Sequence, residues 1–460
     1  MTSVPHSHIP YGESGSGHYG NWLARQEAAN IAAVKDQIMK AVGGTSRYLK
    51  DGQAVGKRVR KKNFETDFCE TILKEANEFE RTRANNQIWF VAESIPVRQP
   101  GDVFTIGDYG TADGSASIPL IREIIELVRG TKGNVQIQVV YEDQPSNDFN
   151  SLFKRLQGLI PDPPTYLHEF KDVFVLASGT SFYHQIVPDN SADLLMSFMA
   201  AHWMSEAAVI EESITFFMPS AERKRFEIIE SEIWMEECPT KFQDSFHRFP
   251  NANEAERKLV AAQGAKDWEA FLLLRAKELK SGGVLIVSTP SEDPEMKQQG
   301  VRHCNQGFEE GMLNMWRRMR DEGKITNEEF VNTNFNRCTR YLEEYKAPFV
   351  DVNSAVYKAG LRLISAQQVL IHCLAQTACQ QKLEKEGVDD RKTWAKAVAQ
   401  QNRCWSNSSF IRGLSNTRTE SEKEALMDEM YSRLEAEVAM QDPKVFKNGY
   451  LVGYVFARKE

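Results

Sequence analysis

The chain is poor in the features that would make it a disulfide scaffold, a metal-thiolate protein or a membrane protein. Its seven cysteines, Cys69, Cys238, Cys304, Cys338, Cys373, Cys379 and Cys404, are odd in number and scattered, and no C-x-x-C pair occurs. A disulfide framework and a thiolate zinc site are therefore not expected, and a reducing, cytoplasmic setting is. The nine histidines show no metal-ligand spacing, so no catalytic metal is expected. No apolar run approaches the roughly twenty residues of a membrane-spanning helix, so no membrane association is expected. Residues 1–20 are polar and rich in Gly, Ser and His, lack the apolar stretch of a signal peptide, and read as flexible. Basic charge is not in excess: 56 Lys and Arg stand against 64 Asp and Glu, a net charge of −8, and nothing at the level of the whole chain asks for nucleic acid. The basic run Lys57-Arg58-Val59-Arg60-Lys61-Lys62 reads first as a solvated face, with a phosphate-binding or localisation role as the rarer alternative. There is no internal repeat.

What is present is ordinary globular material in an α/β order. At 460 residues, 41% hydrophobic and 26% charged, the chain can bury a sizeable core in two or three domain-sized units. Trp22, Ile31, Val34, Ile38 and Val42 place a helix over 21–43. From Val103 onward strands and helices alternate. Strands are expected at 103–107, 135–141, 173–176, 194–199 and 284–288. Helices are expected at 117–129, capped by Ser117 with Pro119 in its first turn, at 150–159, and at 267–280, closed by Ser281-Gly282-Gly283. The pattern predicts a doubly wound, mostly parallel sheet. Residues 207–262 and 291–440 carry helical periodicity and read as a mostly helical cap. The core is thus expected in 21–206 (with 44–98 partly inserted) and 263–290, rejoined by a late strand within 441–460.

Three blocks at strand ends carry the chemistry. The first, Asp108-Tyr109-Gly110-Thr111-Ala112-Asp113-Gly114-Ser115, brings small residues between a strand and a helix, where backbone approaches a ligand closely. It departs from G-x-G-x-x-G. Its terminal carboxylate suits a cationic or hydroxyl-rich ligand such as S-adenosylmethionine better than a phosphate; a plain strand-to-helix turn is the simpler alternative. The second block puts Glu142 and Asp143 at the next strand end, where a carboxylate accepts from both hydroxyls of a ribose. In the third, Gly179-Thr180-Ser181-Phe182-Tyr183, an aromatic and a serine suit the wall of an adenine pocket, although Phe and Tyr are common core residues.

Taken in order, these blocks resemble the plant-type carboxyl and N-methyltransferases of the salicylate/benzoate/theobromine family. The family's Asp-Leu-Gly-Cys-Ser-Ser-Gly-Pro-Asn corresponds to residues 108–116, and its Asn-Asp-Leu-Pro-Gly-Asn-Asp-Phe-Asn to 142–150. Its Gly-Ser-Phe-Tyr is matched by Ser181-Phe182-Tyr183, followed by Pro188-Asp189-Asn190-Ser191, and its His-Trp-Leu-Ser by His202-Trp203-Met204-Ser205. Asp267-x3-Phe271-Leu272-x2-Arg275-x2-Glu278-Leu279 is also family-like. The resemblance covers 103–205 and 264–290. It implies a class I methyltransferase-like Rossmann fold and S-adenosyl-L-methionine as cofactor. Asp108 and Gly110 would line the cofactor site, Asp143 would hold the ribose, Gln144 would face the adenine, and Ser181 and Phe182 would sit beside it. Tyr19, Gln26, Met199, His202 and Trp203 would line the acceptor site, with Gln26 and Trp203 as donors to an acceptor carboxylate.

Three departures stand out: Ala116 replaces the family asparagine, Gln144 its leucine, and Met199 the tyrosine four residues before the tryptophan. The reaction implied is in-line transfer of a methyl group to the carboxylate of a small apolar or aromatic acid. Such an acid, with a pKa near 4, arrives ionised, so no acid or base catalyst is required. His202 as a general base for a phenol or ring N–H, methylation of a heterocycle nitrogen, and a non-catalytic binding protein are the alternatives. A homodimer is left open.

Overall fold

The computed structural model describes residues 23–41, 103–205, 244–246, 252–293, 304–444 and 449–460. Tyr19, the 44–98 segment with its basic run, and most of 207–262 lie outside them.

Eight strands form one sheet: β1 Val103–Tyr109, β2 Gln136–Asp143, β3 Val173–Gly179, β4 Ala192–Phe198, β5 Leu279–Glu292, β6 Arg340–Tyr341, β7 Leu361–His372 and β8 Gly449–Lys459. The order is β3-β2-β1-β4-β5-β8-β7, with β6 pairing β5. β1 to β5 run parallel, while β8 is antiparallel to both β5 and β7. The expected doubly wound, mostly parallel sheet is what forms, and the late strand returns to it as β8.

Alternation along the strands divides the core in two, because successive side chains face opposite sides of a sheet. Phe104, Ile106, Ile137, Val139, Leu194, Met196, Val284, Ile286 and Phe456 face one layer of helices. That layer holds α1 Leu23–Ala32, α2 Lys35–Ala41, α3 Ile118–Lys132 and α4 Phe149–Leu156. α3 lays Ile121, Ile124, Ile125 and Val128 on the sheet. The Tyr454 hydroxyl donates to the Asn30 carbonyl at 2.6 Å, fixing α1 to β8. Val140, Leu195, Leu285, Val287 and Val455 face the other side. There α5 Glu254–Glu278 packs Trp268, Phe271 and Leu272 on them, with α8 Leu342–Val350 and α9 Ala355–Lys358 beside it. A third core, around Trp316, Phe335, Trp394 and Phe410, belongs to the cap. Its helices are α6 Cys304–Asp321, α7 Asn327–Asn332, α10 Leu374–Glu386, α11 Arg391–Gly413 and α12 Glu420–Ala439.

Four expectations are corrected. The helix expected over 21–43 is two helices, α1 and α2, separated by a turn at Ala33 and Val34. α5 starts at Glu254, where Asn253 and Glu256 form a capping box, so the boundary drawn at 262/263 falls inside one continuous helix. Ser281-Gly282-Gly283 is not its stop: Leu279 already has extended geometry, and the three residues bulge out of β5 where Ala192 pairs Leu279 but Leu194 pairs Val284. Finally, 291–440 is not all cap, since β7 lies in the main sheet. Among the described residues no helix is long and apolar enough to cross a membrane.

Candidate active site

The parallel strands bring all three blocks to their carboxyl ends. In register, Asp108 pairs Tyr141, Tyr109 pairs Glu142, and Asp143 pairs Gly179. The chain leaves β1 through a turn anchored on β2: the N–H groups of Gly110 and Thr111 both donate to the Glu142 carbonyl, at 2.8 and 3.0 Å. Gly110 has φ 78°, and a Cβ there would lie 2.2 Å from that of Ala200, so backbone and small side chain leave no room for any other residue.

Asp108 is 2% exposed and accepts from the Thr111 hydroxyl at 2.7 Å and from the Ser117 hydroxyl at 2.6 Å. Ser117 was expected as the cap of α3. It instead has helical dihedrals and spends its hydroxyl on Asp108, so the helix start is tied to the site carboxylate. Burial raises the Asp108 pKa, against the pull of these two hydroxyls.

Asp143 is equally buried. Its Oδ2 accepts from the Ala112 N–H at 2.7 Å and its Oδ1 from the Gln144 N–H at 2.7 Å. An ionised carboxylate has about four acceptor positions, so two stay open to hydroxyl donors. Burial pushes Asp143 up to about 6, opposed by the two backbone donors. Since its ordinary value is 3.8, the folded chain binds the extra proton between these values, and stability from this group falls as pH rises through that window. Affinity for a ligand that needs the carboxylate has the opposite sign. With Asp143 as the ribose acceptor that the resemblance implies, binding of S-adenosylhomocysteine should weaken by about tenfold per pH unit below pH 6, which calorimetric titrations at pH 5 and 7 would measure; a flat profile would contradict that expectation.

Glu142 is fully buried: its Oε2 takes the Gly110 N–H at 3.2 Å, its Oε1 has no partner among the described residues, and burial, with Asp143 beside it, holds its pKa well above the usual range. The Gln144 side-chain oxygen is likewise buried without a partner among the described residues. Gly110's missing side chain, the open acceptor positions on Asp143 and these two orphan oxygens fit a ligand carrying hydroxyls and positive charge.

Asp113 was read only as part of the turn. It forms a buried pair with Arg155 of α4, Nε at 3.1 Å and Nη2 at 2.9 Å, and its other oxygen takes the Ser115 N–H and hydroxyl. Asp113→Ala would strand a buried guanidinium, and a loss of about 3–5 kcal/mol in unfolding free energy is expected by denaturant titration. A loss under about 1 kcal/mol would show the pair to be dispensable.

The third block lies beside the second. Ser181 is half-buried, its Oγ accepting from the Tyr183 N–H at 3.2 Å. Phe182 is 7% exposed, with its ring edge-on to Phe271 at 5.7 Å. Across the turn, Met199 follows β4 at φ 53°, its N–H on the Ser288 carbonyl at 2.8 Å. His202 is buried, its ring 5.2 Å from that of Trp203 and its carbonyl bonded by the Cys338 N–H. Trp203 is 4% exposed; its backbone N–H donates to the carbonyl of Ala200, the residue pressed on Gly110, while its indole N–H is buried with no partner among the described residues. The first, second and third blocks and the 199–203 segment therefore meet at one end of the sheet. The backbone of Gln26 lies in α1. Tyr183 carried no expected role; its hydroxyl donates to the Trp203 carbonyl at 2.7 Å. No group of His, Cys, Asp and Glu among the described residues could hold a metal ion.

A family model described as SAM dependent carboxyl methyltransferase matches residues 82–452. Gibberellic acid methyltransferase 2 of Arabidopsis thaliana is 25% identical over 267 residues, 55% of this chain and 61% of its own length. A probable S-adenosylmethionine-dependent methyltransferase of the same plant is 28% identical over 193 residues, 40% of this chain and 45% of its own. Loganic acid O-methyltransferase of Catharanthus roseus is 25% identical over 210 residues, 43% and 45% of the two chains. The matches thus span about half the length of these curated relatives. A solved structure of loganic acid methyltransferase with SAH superposes with a TM-score of 0.61 over 98% of both chains at 16% identity, a likeness of fold. With the family model covering most of its length, the chain belongs to the SAM-dependent carboxyl methyltransferases.

Proposed function

We propose that the chain transfers a methyl group from S-adenosyl-L-methionine to the carboxylate of a small apolar or aromatic acid. The observation that carries this reading is the Trp203 indole N–H, buried and without a partner among the described residues, one short turn from the residue that packs on Gly110. A buried donor left unmade costs roughly 1–3 kcal/mol, which an anionic acceptor would relieve.

The cofactor, when bound, supplies an electrophilic methyl carbon on a sulfonium. Asp108 and Gly110 line its site, Asp143 accepts from its ribose hydroxyls, and Gln144, Ser181 and Phe182 wall the adenine. Trp203, with Gln26, orients the acid, while Met199 and His202 shape the pocket around it; Tyr19 is assigned to the acceptor side by the family resemblance alone. The acid arrives ionised, so no residue takes a proton; His202 stays a wall. Holding the carboxylate oxygen in line with the methyl carbon in a water-poor pocket is worth roughly 7–11 kcal/mol in favourable cases. The dispersed cysteines, odd in number, support a cytoplasmic setting, and the likeness to methyltransferases of gibberellic and loganic acid supports a role in small-molecule metabolism.

The test is S-adenosylhomocysteine formation against a paired panel. At least one of a panel of small apolar and aromatic acids, indole-3-acetate and benzoate among them, should support turnover, while their primary amides and purine heterocycles should not. Turnover with heterocycles alone would replace carboxyl by N-methylation.

A further inference from the structure

We propose that Tyr183 is the positioning residue that couples the cofactor loop to Trp203, so that filling the cofactor side presets the indole that receives the acid. The inference rests on the reading of Ser181 and Phe182 as cofactor wall and of Trp203 as acceptor donor.

The geometry of Trp203 explains why it needs such a residue. It faces Arg337 across an isolated antiparallel bridge. The flanking bonds run from the Met204 N–H to the Asn336 carbonyl and from the Cys338 N–H to the His202 carbonyl. Trp203 and Arg337 are therefore the non-hydrogen-bonded pair, and the Trp203 carbonyl points away from the bridge. The group it meets there is the Tyr183 hydroxyl, at 2.7 Å. Burial keeps that hydroxyl protonated by raising its pKa well above the ordinary value, so it stays a donor.

The loop that carries Tyr183 is itself rigidly held. Arg275, fully buried, donates from Nη1 to the Phe182 carbonyl at 2.8 Å and from Nη2 to the His184 carbonyl at 2.9 Å. Its partner Glu278 takes Nε at 2.7 Å, the Ile186 N–H at 2.6 Å and the Tyr109 hydroxyl at 3.1 Å. The Arg275 guanidinium also lies over the Tyr109 ring at 4.7 Å. A buried ion pair thus ties the end of β1, the adenine-side residues and Tyr183 into one unit, and the Tyr183 hydroxyl is the bond by which that unit reaches Trp203. A rigid connection of this kind passes a small displacement at Ser181 and Phe182 to the indole, where a loose one would absorb it.

The test uses the full chain labelled with 5-fluorotryptophan, the Trp203 fluorine line being assigned by its loss in Trp203→Phe. S-adenosylhomocysteine is the probe, so no acceptor need be known. In the wild type the Trp203 line should shift on saturation. In Tyr183→Phe, calorimetry should give an affinity within about twofold of wild type while the line no longer follows the ligand. The KM for a working acid should rise by about fivefold, the equivalent of one lost neutral hydrogen bond, with kcat changed less. An identical shift in both proteins, or a wild-type line that stays still while the ligand binds, would overturn the coupling. Failure of the wild type to bind the ligand would remove the cofactor reading beneath it as well.

Discussion

Trp203→Phe should cut kcat/KM for a carboxylic acid by about 10- to 100-fold, while leaving the affinity for S-adenosylhomocysteine within about twofold. The magnitude is that of one hydrogen bond to a charged group, roughly 1.5–3 kcal/mol. Phenylalanine keeps most of the packing that Trp203 shares with the cap core around Phe335 and Trp405, so the substitution isolates the indole N–H. The loss should fall mainly on KM. The carboxylate is most negative before transfer and becomes a neutral ester, so a donor to it stabilises the bound acid more than the transition state. Steady-state kinetics with the acid varied at saturating cofactor would separate the two constants. Equal losses in acid and cofactor affinity would show that Trp203 supports the fold of the site and does not hold the acceptor.

The second large effect concerns the ribose. Asp143→Ala removes the carboxylate whose open lone pairs face the end of β2, and affinity for S-adenosylhomocysteine should fall by at least about 100-fold, two charge-assisted hydrogen bonds being worth roughly 3–6 kcal/mol. The same substitution removes a carboxylate whose pKa burial has pushed up to about 6. At pH 8 the free protein pays for keeping that charge out of water, which tends to offset the two backbone bonds lost from Ala112 and Gln144. The apo variant should therefore stay folded, and calorimetry together with thermal unfolding distinguishes loss of a ligand contact from loss of structure. Retained affinity in a folded variant would move the ribose elsewhere.

The sheet was legible where apolar alternation and turn chemistry agreed. β1 and β2 are apolar runs ended by Asp or Glu, β4 and the core of β5 are apolar runs, and their parallel order follows from the intervening helices. β7 was missed because its sequence, Leu-Arg-Leu-Ile-Ser-Ala-Gln-Gln-Val-Leu-Ile-His, is half-buried and polar in its middle, and because it lies between helical segments. Its partner β8, not its own pattern, holds it in the sheet. The start of α5 had a readable signal, Asn253 three residues before Glu256, whereas its end was misread because a Ser-Gly-Gly that bulges a strand has the same composition as a helix stop.

The site divides along the same line. Asp108, Gly110 and Asp143 could be read from their place at strand ends, because the parallel fold puts those ends together. The Ser117 hydroxyl on Asp108, the buried Asp113–Arg155 pair and the Tyr183–Trp203 bond join residues 9, 42 and 20 apart in the chain, and nothing local in the sequence announces them. Nor could sequence show that the Trp203 indole N–H is left without a partner among the described residues, since that is a property of the packing around it.

The measurement that bears most directly on carboxyl methylation is the fate of the transferred group. With S-adenosylmethionine labelled in the methyl carbon and a carboxylic acid from the panel, the product should carry label that mild alkali releases as volatile methanol, as a methyl ester does. Label that survives alkali would place the methyl on nitrogen or on a phenol oxygen, and would contradict the account.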